Sequence, residues 1–239
     1  MDFDPRDMDR DYGAPSGVIT EAQYTTRTFL WMTLGLMISF GVAILGWVTN
    51  LTLYLYAIIP VLPVVLSLAT LVLVNTLSAR IERMSVASAQ GIFLAYSVLF
   101  GLTVSTWLYL FQLASVVLVF LVTALYFGAL AAYGHFTRRN LAGIGPILLS
   151  GLIFLLLFGI LSLFIPGMTA LDSLCCLFGI AIFLGYTAYD TQRIRDFYYY
   201  YSGYPDMMEK ASIFSALWLY MDFINLFVYL LRFLGNRRN

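Results

Sequence analysis

Two aspartates on the last two apolar stretches carry the chemistry this chain can do. Asp222 lies mid-way along the final stretch, in Leu219-Tyr220-Met221-Asp222-Phe223-Ile224-Asn225-Leu226-Phe227. Asp190 closes the stretch before it, in Gly185-Tyr186-Thr187-Ala188-Tyr189-Asp190-Thr191-Gln192. A carboxylate at bilayer depth costs about 2.5–3.5 kcal/mol on insertion scales, so it needs a counter-charge, a proton or a hydrogen-bond donor. Two acids that meet cannot both ionise easily. Protonated once, they share one hydrogen bond and tie two helices together. Fully ionised, they repel and attract a cation. That is the chemistry of a pH-gated cation path. The competing reading has each acid bonded to a nearby polar group, with Tyr186, Tyr189, Tyr220 and Asn225 the candidates.

The elements that must position them are membrane helices. The chain has 239 residues, 61% hydrophobic and 11% charged, with mean hydropathy +0.86. Soluble domains average about 25% charged. Runs long enough to cross a bilayer fall at about 28–48, 52–77, 86–108, 113–134, 146–166, 172–192 and 211–234. The expected organisation is an acidic cytosolic tail over 1–27, one seven-helix domain over 28–234 and a short basic end over 235–239. The tail holds Asp2, Asp4, Asp7, Asp9 and Asp11 and reads as disordered, with no cleavable signal sequence. Pro60 and Pro63 are expected to bend the second segment. Gly35 with Gly41, and Gly128 with Ala132, offer close helix approach.

Charge sets the orientation. Ten of the thirteen cationic residues fall in the tail and alternate loops: Arg6, Arg10, Arg27, Arg80, Arg83, Arg138, Arg139, Arg193, Arg195 and Lys210. The loops at Asn50, Phe111 and Pro166 have none, which places the N-terminus in the cytosol. Arg232, Arg237 and Arg238 follow the last segment. Seven full crossings put them outside. A re-entrant last segment would put all thirteen inside. Seven crossings is the preferred reading, because residues 211–234 are long enough to span.

Depth is the difficulty. Asp222 stands about eleven residues, or roughly 16 Å, into a helix that starts at the cytosolic face. Asp190 closes its own segment near that face. The two are level only if Asp190 lies deeper or the seventh helix is shifted. Asp172, at the other end of the sixth segment, reads as solvated or as a helix cap. Arg80 and Arg83 end the second segment on the cytosolic side, where either can latch onto Asp190 or extend to headgroups. Tyr198 to Tyr201 read as an interfacial belt, His135 as a surface residue, and Cys175 with Cys176 as packing.

Several classes are excluded. No Gly-x-Ser-x-Gly elbow, zinc cluster, P-loop or dinucleotide fingerprint is present, and no basic face suits nucleic acid. No cofactor is expected. An intramembrane aspartyl protease also uses two acids on adjacent helices. Tyr189-Asp190 fits its first motif, but Leu219-Tyr220-Met221 stands where Gly-x-Gly should precede the second acid. The chain is therefore not expected to be an enzyme.

The two acidic stretches, followed by Leu230-Leu231-Arg232-Phe233-Leu234-Gly235, together with the weaker match Phe100-Gly101-Leu102-Thr103, resemble the Bax inhibitor-1 family of membrane proteins. The likeness is to its bacterial members, which places the chain in a bacterial inner membrane. The resemblance implies an all-α fold in which six helices surround a central C-terminal seventh. It also implies a pH-sensitive calcium leak sensed by Asp190 and Asp222, with calcium held transiently there if at all. Tyr189 and Asn225 are the supporting polar residues. An arginine at the end of the second helix would pair with Asp190 when the pore opens. Ungapped counting from Gly101 favours Arg83, with Arg80 one turn away. Some relatives carry a glutamate in the second helix, where this chain has residues such as Thr70, Val72 and Asn75. The family is also implicated in stress protection and in modulating membrane proteases, a role that needs no flux.

Overall fold

A computed structural model of the chain describes residues 19–137, 139–162, 164 and 169–238. Eight α-helices are present among them: α1 (Glu21–Val48), α2 (Leu51–Ile58), α3 (Leu62–Arg80), α4 (Val86–Leu110), α5 (Leu113–Phe136), α6 (Gly145–Ser162), α7 (Thr169–Tyr200) and α8 (Pro205–Leu234). Seven helical spans, all but α2, are long and apolar enough to cross a membrane, that of α6 beginning with the short turn at Ala142–Ile144. The chain is thus an all-helical, multi-pass membrane protein.

The helix ends depart from the hydropathy reading for local reasons. α1 starts at Glu21, seven residues before the expected 28, because Thr20 and Gln23 form a reciprocal capping box there. Residues 21–27 therefore belong to the first span and not to the tail, of which residues 1–18 lie outside the described residues. The second segment is broken, not merely bent. α2 ends at Ile58, the chain turns through Pro60, and α3 restarts with Pro63 in its first turn. A proline costs little there, since first-turn N–H groups have no intrahelical acceptor. Asn50, at φ 54°, makes the tight left-handed turn between α1 and α2.

α8 is the centre of the packing. Of its most apolar stretch 67% is buried, against 11% in α3 and in α6. Its principal neighbours are α1, α4, α5 and α7. α3 packs on α4, and α6 packs on α7. The expected ring of six is thereby revised to four direct neighbours, with the second and fifth spans one layer further out. A hydroxyl node joins three of the inner helices. Tyr220 Oη lies 2.6 Å from Ser39 Oγ, which lies 2.7 Å from the Ser97 carbonyl oxygen. Ser39 has one proton to give to that carbonyl, so Tyr220 donates to Ser39.

Of the glycines expected to give close approach, Gly35 does so, and Gly101 and Gly134 join it. A Cβ at Gly101 would stand 2.7 Å from the Ser39 carbonyl oxygen, so its absence lets α4 meet the α1 backbone. Gly134 does the same against the Ala188 backbone, and Gly35 makes room for the Phe93 ring. Gly41 and Gly128 face open space, and Ala132 is exposed.

α8 runs unbroken from end to end, which disposes of the re-entrant alternative. Its C-terminus reaches the end opposite the cation-rich turns. Gln112 N donates to Asn236 O at 3.0 Å, Arg238 N donates to Leu110 O at 2.9 Å, and Phe111 bridges Arg237. Arg238 stacks over Trp47 at 5.5 Å. Asp172 lies in the first turn of α7, at the helix end where the sequence places it, and is ion-paired with Arg232. At the cation-rich end, Lys210 is buried and donates to the carbonyls of Glu82 and Met84. Tyr198 and Tyr199 bond to Ile19 and Glu21 at the start of α1. Both cysteines are buried and unbridged. Arg138 and Pro166 lie outside the described residues.

Candidate functional site: an acidic cavity between α6, α7 and α8

α7 and α8 pack antiparallel in one continuous register. Phe183 meets Tyr229, Arg193 meets Trp218, and Phe197 meets Phe214. Asp190 and Asp222 fall on the same ladder, each within hydrogen-bonding reach of the other. The depth difficulty is resolved by stagger: with Phe197 opposite Phe214, α8 begins about six residues beyond the end of α7, which brings Asp222 level with Asp190. α7 continues eight residues beyond 192, to Tyr200, and α8 begins six residues before 211, at Pro205. Asp190 is therefore interior to its helix, roughly 15 Å from the helix end at a rise of about 1.5 Å per residue.

The two carboxyls share a cavity of about 430 Å³. Leu152, Leu155 and Leu156 of α6 form one wall. Phe183, Tyr186, Asp190 and Arg193 come from α7, and Trp218, Met221, Asp222, Asn225 and Tyr229 from α8. Asp190 is 8% and Asp222 5% exposed, so neither is solvated in the ordinary sense. Their partners differ. Arg193 Nη1 lies 3.9 Å from Asp190 Oδ1, one helical turn along α7. The guanidinium is also stacked on Trp218, 4.1 Å from its ring centroid, and flanked by Tyr189 and Phe197. Asp222 has no such support. Its Oδ2 is buried and receives no hydrogen bond from any donor group. The Asp190 carboxyl is within reach, but two carboxyls bond only when one holds a proton.

Two carboxylates against one guanidinium leave one negative charge to be neutralised. A proton on the pair does this, and so does a passing cation. A firmly held calcium ion needs about six to eight oxygen ligands. Among the described residues no group of three or more His, Cys, Asp or Glu side chains is arranged to hold a metal.

The other residues named from sequence fall elsewhere. Asn225 lines the cavity, but its amide donates to the Met221 carbonyl at 2.8 Å. Tyr189 turns away from Asp222 towards Gly145. Tyr220 is committed to Ser39. Arg80 and Arg83 are exposed at the α3–α4 turn, and neither is paired with a carboxylate among the described residues. The cation beside Asp190 is Arg193, which sequence reasoning had counted only towards orientation. The signal was present: Asp190 and Arg193 are three apart on one helix, a spacing that makes surface neighbours. Trp218 carried no comparable signal.

A seven-span helical bundle with a carboxyl-lined cavity beside its most buried helix defines a multi-pass membrane protein, and relatives narrow the class. The profile of the family described as "Inhibitor of apoptosis-promoting Bax1" matches residues 21–239. The chain is 37% identical over 216 residues to "Inner membrane protein YbhL" of Escherichia coli K12, covering 90% of this chain and 92% of that protein. An uncharacterized protein of Borreliella burgdorferi is 32% identical over 225 residues, covering 93% and 95%. Protein RP147 of Rickettsia prowazekii, also uncharacterized, is 39% identical over 157 residues, 66% of each chain. The chain belongs to the Bax inhibitor-1 family. None of these three relatives carries an enzyme's name.

Proposed function

We propose that this protein is a pH-sensitive cation leak of a bacterial inner membrane, with calcium as the physiological ion and Asp190 and Asp222 as the gate. The observation that carries the reading is the buried Asp222 oxygen without a donor, within reach of a second carboxyl in an open cavity. When the pair holds a proton, the acids bond and α7 is tied to α8. When the proton leaves, the acids repel, and the net negative charge draws a cation in. Flux therefore rises with pH. The charged and titratable groups facing the pair are Arg193 and Tyr186 of α7 and Tyr229 of α8, and α6 contributes only leucines. Arg193 competes with the incoming cation for Asp190. The latch proposed for Arg83 or Arg80 requires α3 to move towards α7. The localisation follows the name of the Escherichia coli relative, and a cytosolic N-terminus follows the cation distribution.

The test is calcium entry into liposomes holding the purified protein, from about pH 5 to about pH 8. Entry above that of empty liposomes, growing with pH, is expected. Liposomes as tight as empty ones throughout would overturn the reading.

One observation favours a second function. The family's own description is that of an inhibitor of another protein. In that role the chain binds a membrane protease or another integral protein without passing ions, and the acidic residues 1–18 are the natural handle. Deleting them then abolishes cellular function and leaves flux unchanged. Full function after the deletion counts against it.

A further inference from the structure

The third wall of the acidic cavity is poorly sealed. α6 packs on α7 but has no substantial packing against α8, and it is among the least buried spans. The gap between α6 and α8 gives onto the apolar surroundings of the bundle, where Leu156 is 61% exposed. The cavity thus joins two unlike surfaces. Its floor is a buried carboxyl oxygen with no donor. Its outer wall is an apolar strip formed by Leu152, Leu155 and Leu156.

We infer that this cavity binds a single-chain lipophilic ammonium ion that enters sideways from the bilayer, with its head at Asp222 and its tail along Leu152, Leu155 and Leu156. Charge and hydrogen bonding select the head. With Arg193 already matched to Asp190, one negative charge remains, so the site takes one positive charge. Oδ2 of Asp222 also lacks a donor, which an ammonium N–H supplies and a quaternary head does not. Arg193 occupies the Trp218 face, but the Tyr186 ring borders the remaining space and offers a cation–π wall. The alkyl chain gains free energy on leaving water, yet gains little over the bilayer itself. The head therefore decides the selectivity. This inference concerns the cavity of the proposed gate, but it does not depend on ion flux, because binding is read directly.

The experiment is calorimetric titration of dodecylammonium into the protein in lipid nanodiscs, with empty nanodiscs subtracted. Dodecyltrimethylammonium and dodecanol are the comparison probes. Saturable one-site binding of dodecylammonium is expected, at least tenfold weaker for the trimethylated head and absent for the alcohol. Asp222→Asn should weaken it at least tenfold. Leu155→Trp, which fills the cavity from α6, should do the same while leaving both acids in place. Equal binding by all three probes, or by the wild type and a folded variant of either kind, overturns the proposal. Size-exclusion profiles establish folding, and if Asp222→Asn does not fold, Leu155→Trp and the three probes decide alone.

Discussion

Asp190 and Asp222 differ in what holds them, and that difference predicts different variants. Asp190 has Arg193, and the guanidinium is itself clamped over Trp218. Asp222 has no such cation, and its buried Oδ2 has no donor. Asn at position 222 keeps the shape and removes the charge, so calcium flux in Asp222→Asn should lose its dependence on pH. Gln at position 193 removes the competing cation. Arg193→Gln should raise calcium entry at neutral pH by about tenfold, the effect of about 1.4 kcal/mol. Flux of Arg193→Gln equal to or below that of the wild type contradicts the competition. The residue types of this site were legible in the sequence, because a carboxyl in an apolar run is conspicuous. Their meeting was not. It depends on how far α8 starts beyond the end of α7, and hydropathy loses both ends in a segment rich in Tyr and polar groups. The helix continues there through Phe197 against Phe214 and Tyr198 against Ile19, contacts that no local pattern announces.

The helices were legible where length and apolarity suffice and illegible where packing decides. Seven spans followed from runs of about 20 apolar residues. The break of the second span was foreshadowed by Pro60 and Pro63, although two prolines so close end a helix more readily than they bend it. Which glycines matter could not be read, because Gly35, Gly41, Gly101 and Gly128 look alike in sequence. Only the α1–α4 interface distinguishes them. Gly101→Leu should therefore force α4 away from Ser39 and cost about 1–3 kcal/mol, the usual cost of overpacking. Gly41→Leu, pointing into open space, should leave thermal unfolding in detergent nearly unchanged. Equal melting of the two variants would contradict this account of the interface.

The bundle as a whole separates a cation-rich end from the end that carries the C-terminus. Three contacts hold the latter: Arg232 with Asp172, Arg238 with Trp47, and Gly235–Arg238 along the α4–α5 turn. Single cysteines at Glu82 and Arg238 should accordingly be labelled by an impermeant reagent from opposite sides of the membrane, and labelling from the same side would contradict seven crossings. The sequence carried this arrangement only as a conflict, since one arginine stood in the last turn of the final span and two more followed it. The continuous α8 resolves it, because those arginines find an acid, a ring and a backbone partner at the far end. The central claim concerns the same helix, since α8 brings Asp222 level with Asp190. It is tested most directly by measuring calcium entry into liposomes for the wild type and Asp222→Asn side by side, from about pH 5 to about pH 8. The account predicts wild-type entry that rises with pH and a flat profile for the variant. Parallel pH profiles for the two proteins would contradict it.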